Sequence, residues 1–165
     1  RLMLMTFFDT GIRVSELIDL KLSQVKDEYI LIHGKGDKER VVPKSPLLNK
    51  WMFKYLSTRE NFFAYRRVPE NVFLSRNGRP MTTEAIHRVI KIAGKAVGVS
   101  RDIRVSPHTC RHTFAQMQLK NGLDLYSLSR LMGHSNISIT QRYLEGLRDF
   151  EVLNACKATG ILMNL

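Results

Sequence analysis

Ser106-Pro107-His108-Thr109-Cys110-Arg111-His112-Thr113-Phe114-Ala115 is the stretch around which the chain is organised. A serine followed by a proline marks a helix start. The hydroxyl can accept a bond from a first-turn N–H, and proline gives up a donor that would have no helical partner there. His108 and Arg111 stand three residues apart, almost one helical turn, so both can face one target. The positive end of the helix dipole adds to their charge, and the expected target is anionic.

The whole composition agrees with that expectation. The 165 residues, 44% of them hydrophobic, fit a single domain over 1–165 with ample core. Lys plus Arg number 26 against 15 Asp plus Glu, a formal charge of +11, which makes nucleic acid the leading partner. An anionic membrane is the competing reading, but no apolar run approaches the ~20 residues of a span, so no membrane partner is expected. Cys110 and Cys156 have no disulfide-framework or zinc-ribbon spacing, which points to a reducing, cytoplasmic and nucleoid-associated location. The opening Arg1-Leu2-Met3-Leu4-Met5 reads as already mid-helix, as in a piece of a longer protein.

Working upstream, Thr82 caps an expected helix over 83–97, with Ile86, Val89, Ile90, Ala93 and Val97 on one face. His87, Arg88, Lys91 and Lys95 form the other. That stripe is either a solvated face or a surface that tracks phosphates and enters a DNA groove. Val72-Phe73-Leu74 is expected as a short strand ended by Asn77-Gly78, and Pro46 opens a core helix in which Trp51 packs. Tyr29-Ile30-Leu31-Ile32 and Arg40-Val41-Val42-Pro43 predict a hairpin with Lys35 at its glycine-flanked tip. Thr10-Gly11 separates a buried helix over 1–9 from one over about 13–21, where Arg13 and Glu16 can share a turn. Taken alone, that pair reads as a surface ion pair.

Downstream, the Pro107 helix is expected to bury Cys110, Phe114 and Met117 and to end near Asn121-Gly122. Asp124 starts the next helix, with Leu125, Leu128, Leu131 and Met132 as its stripe. Gly133 ends it, with His134 at an exposed corner. A further helix from about Ile137 carries Tyr143, and 150–165 forms an apolar tail. The sum is a mixed α+β chain, mainly α-helical, with a small antiparallel β-sheet.

Arg13, Lys35, His108, Arg111, His134 and Tyr143 are together a set for phosphoryl transfer. Two arginines can hold the non-bridging oxygens of a phosphodiester and stabilise its five-coordinate transition state. A tyrosine, of ordinary pKa ~10, needs such cations or a base like His108 to attack near neutral pH. A lysine with a depressed pKa can protonate the leaving alkoxide.

Thr10-Gly11-Ile12-Arg13-Val14-Ser15-Glu16-Leu17, Gly34-Lys35-Gly36, His108-Thr109-Cys110-Arg111-His112, Leu131-Met132-Gly133-His134 and Tyr143 occur in the order seen in tyrosine recombinases, and the chain resembles a phage-type integrase catalytic domain. The resemblance implies that Arg13 and Arg111 bind the scissile phosphate, His108 helps activate the nucleophile and His134 hydrogen-bonds the phosphate. Lys35 would protonate the departing 5′ oxygen, Tyr143 would form a 3′-phosphotyrosyl link, and Glu16 would support the site. It further implies site-specific recombination of double-stranded DNA without cofactor or metal, and a helix before His108 that enters the major groove. An N-terminal DNA-binding domain outside these residues and a homo-tetramer on DNA also follow from it, with the 150–165 tail either docked on a neighbouring protomer or folded back on its own domain.

Other readings stay open at this stage. The phosphotyrosyl chemistry equally serves type IB topoisomerase-like relaxation, and the fold could persist as a catalytically silent basic DNA-binding module. His108 and His112 stand four apart as zinc ligands can, but Cys110 points off their shared face and nearby arginines repel a cation.

Overall fold

The computed structural model describes residues 1–34 and 39–144. Its helices, in order, are α1 (Leu2–Thr10), α2 (Val14–Asp19), α3 (Pro46–Phe62), α4 (Thr83–Ala96), α5 (Pro107–Lys120), α6 (Leu125–Met132) and α7 (Ser138–Gln141). Strands β1 (Tyr29–His33) and β2 (Glu39–Pro43) form one antiparallel hairpin, in which Ile30 faces Val42 and Ile32 faces Arg40. The mainly helical α+β architecture is the one expected.

Local chemistry sets most boundaries. Ser45, Thr82, Ser106 and Asp124 each accept, through the side chain, a bond from a backbone N–H three residues on, at the starts of α3, α4, α5 and α6. Gly11 and Gly133 close α1 and α6 in the left-handed region, with φ 60° and 64°. The main core joins α1, α2, the hairpin, α3, α4 and the first turn of α5 through Phe7, Leu17, Ile30, Leu48, Met52, Ile86, Ile90 and Cys110. A second cluster, Phe114, Ala115, Leu128, Met132 and Tyr143, packs α5, α6 and the segment after α7. Phe114 crosses from one region to the other by lying over Gly11, where an added Cβ would come within 2.2 Å of its ring.

Four expectations are corrected. Residues 72–74 are buried or half-buried but form no strand. Val72 N–H donates to Leu20 and Phe73 O accepts from Met81, so the segment's bonds go to different neighbours and pairing stops at single bridges. Met117 is 49% exposed, because the buried side of α5 is centred on Arg111, Phe114 and Ala115 and continues toward Gln118. Val97 is 79% exposed, lying just beyond the end of α4, and Gly94 takes the inner position against Val105. Tyr143 is not helical: α7 ends at Gln141, and Tyr143 N–H donates to Thr140 O in a tightened turn. Trp51 is half-buried as a packing residue, with the Arg1 guanidinium 4.8 Å above its ring. Lys35 and the expected tail over 150–165 lie outside the described residues.

Candidate active site

The site is built on the C-terminal end of α6. A helix leaves its last carbonyls without internal partners and concentrates partial negative charge there. Here three successive carbonyls each accept from a different arginine. Leu131 O accepts from Arg40 Nε at 2.7 Å, Met132 O from Arg111 Nη2 at 2.6 Å and Gly133 O from Arg13 Nη2 at 3.0 Å. Arg111 Nη1 also donates to Gly11 O, which ties α5 to the end of α1.

Glu16 organises two of those arginines from the other side. One carboxylate oxygen accepts from Arg13 Nη1 and Arg40 Nη1, both at 2.8 Å. The second accepts from the Arg13 backbone N–H and Arg40 Nη2, both at 2.7 Å. Burial alone raises the carboxyl's pKa, but the bonds from Arg40 and Arg13 and the charge of Arg40 outweigh it and hold the group at about 2. The surface ion pair read from the sequence is therefore half of a partly buried network.

Arg40 is the residue that sequence reasoning missed. A signal existed: the hairpin register places it opposite buried Ile32 and two residues before buried Val42, so it occupies an inward position on β2. Its guanidinium also explains Gly133, where an added Cβ would come within 2.9 Å of Arg40 Nη1.

Arg111 is 7% exposed. Burial first, and then the nearby charge of Arg13, pull its guanidinium down to about 10, with Glu16 and Tyr143 acting in the opposite direction. It remains charged at neutral pH. His134, expected at an exposed corner, is half-buried and held on both sides: Nε2 lies 3.1 Å from Arg111 Nη2 and Nδ1 2.8 Å from Thr140 Oγ1. Burial, followed by the charges of Arg111, Arg13 and Arg40, lowers its imidazole to about 4.

Tyr143 is 8% exposed and sits between two imidazoles. Its ring meets His112 edge-on at 5.1 Å and stacks on His134 at 6.3 Å with 8° between planes. The fold thus gathers Arg13, Glu16, Arg111, His134 and Tyr143, and adds Arg40, His112 and Thr140. His108 lies one turn before Arg111 on α5, exposed, its side chain without a hydrogen bond or ion pair among the described residues. Three guanidiniums against one carboxylate leave the centre positively charged, a setting in which an anion relieves repulsion.

On α4, Arg88, Lys91 and Lys95 are exposed and His87 is half-buried. His87, Lys91 and Lys95 border, with Arg101 and Arg104, one concave surface that runs to the start of α5. No three His, Cys, Asp or Glu side chains converge among the described residues, and no described helix is long and apolar enough to cross a membrane.

The arrangement has relatives. A model of the phage integrase family matches residues 1–148. The chain belongs to that family. Tyrosine recombinase XerD of Staphylococcus aureus is 39% identical over 145 residues, covering 87% of this chain and 48% of its own length. XerD of Lacticaseibacillus casei is 41% identical over 138 residues, 82% of this chain and 46% of the relative. The chain spans about half the length of these curated relatives. The crystal structure of XerA recombinase superposes with a TM-score of 0.83 at 30% identity, over 96% of this chain and 57% of that one. XerH bound to its palindromic difH substrate shares the fold, with a TM-score of 0.78 at 24% identity, over 98% of this chain and 45% of that one.

Proposed function

We propose that this chain is the catalytic domain of a site-specific DNA recombinase that cuts and rejoins strands through a 3′-phosphotyrosyl intermediate. The observation that carries the reading is the convergence of the half-buried Arg13 and His134 on the buried Arg111 and Tyr143, drawn from four separate segments into one positively charged centre. Family membership and the XerD relatives support it.

In this mechanism Arg13 and Arg111 hold the non-bridging oxygens of the scissile phosphate, and His134 donates a third bond. The Tyr143 oxygen attacks phosphorus and passes its proton to His108, while the 5′ oxygen leaves with a proton from Lys35. The role of Lys35 rests on the sequence resemblance. Glu16 and Arg40 keep the Arg13 guanidinium aimed. The protein–DNA ester retains the bond energy of the phosphodiester, so the 5′ hydroxyl of a second strand can reverse the attack and complete an exchange. None of these steps calls on a metal or cofactor.

Double-stranded DNA is the partner. The basic face of His87, Arg88, Lys91 and Lys95 tracks its phosphates, with Arg101 and Arg104 extending the path toward α5. A separate DNA-binding domain preceding these residues closes the other side of the duplex. A homo-tetramer joined through the 150–165 tails brings two duplexes together, in a cytoplasmic, nucleoid-associated setting. The XerH structure, in a post-cleavage complex with difH, supports DNA as the partner.

The test is a nicked duplex library incubated with the protein in EDTA, quenched in SDS and analysed by mass spectrometry for a nucleotide-linked peptide. A 3′-phosphate adduct on Tyr143 is expected. Tyr143→Phe should abolish it and leave DNA binding near normal. An adduct on another residue, or none with the full-length parent chain, overturns the reading.

A further inference from the structure

Thr140 is fully buried on α7, and its hydroxyl lies 2.8 Å from His134 Nδ1. The opposite ring nitrogen, Nε2, lies 3.1 Å from Arg111 Nη2. A guanidinium only donates, so Nε2 accepts that bond with its lone pair. The ring proton therefore sits on Nδ1 and is donated to Thr140 Oγ1. The charges that face the ring are Arg111 from α5, Arg13 from the start of α2 and Arg40 from β2. All disfavour a second proton, and Tyr143 covers one ring face.

This resting tautomer cannot perform the role proposed above, because a bond from Nε2 to a phosphate oxygen requires Nε2–H. The change must therefore happen on the side away from the phosphate as well. We infer that Thr140 is a positioning residue that lets His134 exchange tautomers, accepting from Nδ1–H in the free chain and donating to bare Nδ1 once phosphate replaces Nε2 as Arg111's partner. A hydroxyl can do both by rotating about its Cβ–Oγ1 bond. The imidazole stays neutral throughout: one proton leaves Nδ1 to water and one is gained from water at Nε2. In this way the same bond that orients the ring also permits its change of function.

The inference deepens the recombinase reading and rests on it for the phosphate, but its first half can be read without DNA. Nitrogen-15 NMR of the histidine rings in the free protein, with His134→Gln used for assignment, should show the Nδ1–H tautomer at His134. Addition of a duplex bearing the recognition site and a Tyr143→Phe background should convert it to Nε2–H. An Nε2–H tautomer in the free protein, or an imidazolium carrying both protons in the complex, overturns the inference.

Variants give the second readout. Thr140→Val keeps the shape and the methyl group and deletes the hydroxyl, whereas Thr140→Ser keeps the hydroxyl. In the Tyr143-adduct assay, Thr140→Val should slow adduct formation about tenfold to a hundredfold with unchanged DNA affinity, the range for deleting a buried hydrogen bond. Thr140→Ser should retain most of the rate. Equal rates for Thr140→Val and the unaltered protein, or a fall with Thr140→Ser as deep as with Thr140→Val, overturn the inference. An unaltered protein that forms no adduct at all overturns the recombinase reading, while the free-state NMR still decides the resting tautomer. If Thr140→Val fails to fold, the Thr140→Ser rate and the NMR of the unaltered protein decide.

Discussion

Replacing Glu16 by Gln tests the network that aims Arg13 at the centre of the site. The carboxylate accepts four hydrogen bonds from Arg13 and Arg40, and an amide of the same size keeps one oxygen while turning two donors toward the guanidiniums. Holding the carboxyl at about 2 instead of its ordinary 4.5 corresponds to about 3 kcal/mol at neutral pH, reduced to about 2 kcal/mol by partial solvent screening. Because the folded value is the lower one, this stabilisation is complete above pH 4.5 and is lost as pH falls toward 2. Urea unfolding of both proteins at pH 7, 4 and 2.5 measures it, with the slope on denaturant checked for constancy. Glu16→Gln should be less stable by about 2 kcal/mol at pH 7, with the gap shrinking across the acid series. A gap below about 0.5 kcal/mol at pH 7, the size expected of an isolated surface pair, would refute the reasoning, as would a gap that does not change with pH.

Arg40→Lys retains the charge but cannot bond both Glu16 oxygens and Leu131 O together, and should cost about 1–2 kcal/mol in the same urea measurement. Gly133→Ala should destabilise more than Gly122→Ala. Both glycines have positive φ, but only at Gly133 does the new Cβ meet a neighbour, Arg40, and a thermal-melt comparison separates that clash from backbone strain. His134 is lowered to about 4 from 6.5, so the unfolded chain takes up a proton that the folded chain refuses. The His134 contribution to stability should therefore fall between pH 6.5 and 4 and level off below, and His134→Gln should remove that part of the slope; an unchanged slope between pH 6.5 and 4 counts against the network. Neutralising Arg88, Lys91 and Lys95 should flatten the dependence of DNA affinity on salt by about 0.9 in log–log slope for each phosphate that the protein no longer neutralises. An identical slope would mean that α4 faces away from the DNA.

Much of this was legible from sequence because helix ends are decided locally. Ser106-Pro107, Thr82, Asp124, Gly11 and Gly133 mark starts and stops through bonds and backbone angles that span three or four residues. The hairpin was legible from its β-branched runs, and Arg13, Arg111, His134 and Tyr143 as candidates from their order along the chain. The strand expected at 72–74 failed for the complementary reason: β-prone residues become a strand only when a neighbour runs alongside, and none does beyond single bridges. Tyr143 was placed inside a helix that ends two residues before it, because a four-residue helix is not propagated by periodicity.

Sequence by itself therefore determined the helical framework, the family and the candidate side chains for phosphoryl chemistry. The tertiary structure decided how those side chains are held and charged. Arg40 meets Leu131 across 91 residues of chain, Arg13 meets Gly133 across 120 and Arg111 meets Gly11 across 100. No local pattern encodes such pairs. What joins them is the end of α6, whose unpaired carbonyls and negative dipole attract three guanidiniums once packing brings α1, α2, β2 and α5 around it. The same packing sets the His134 tautomer, which depends on one partner from α5 and another from α7.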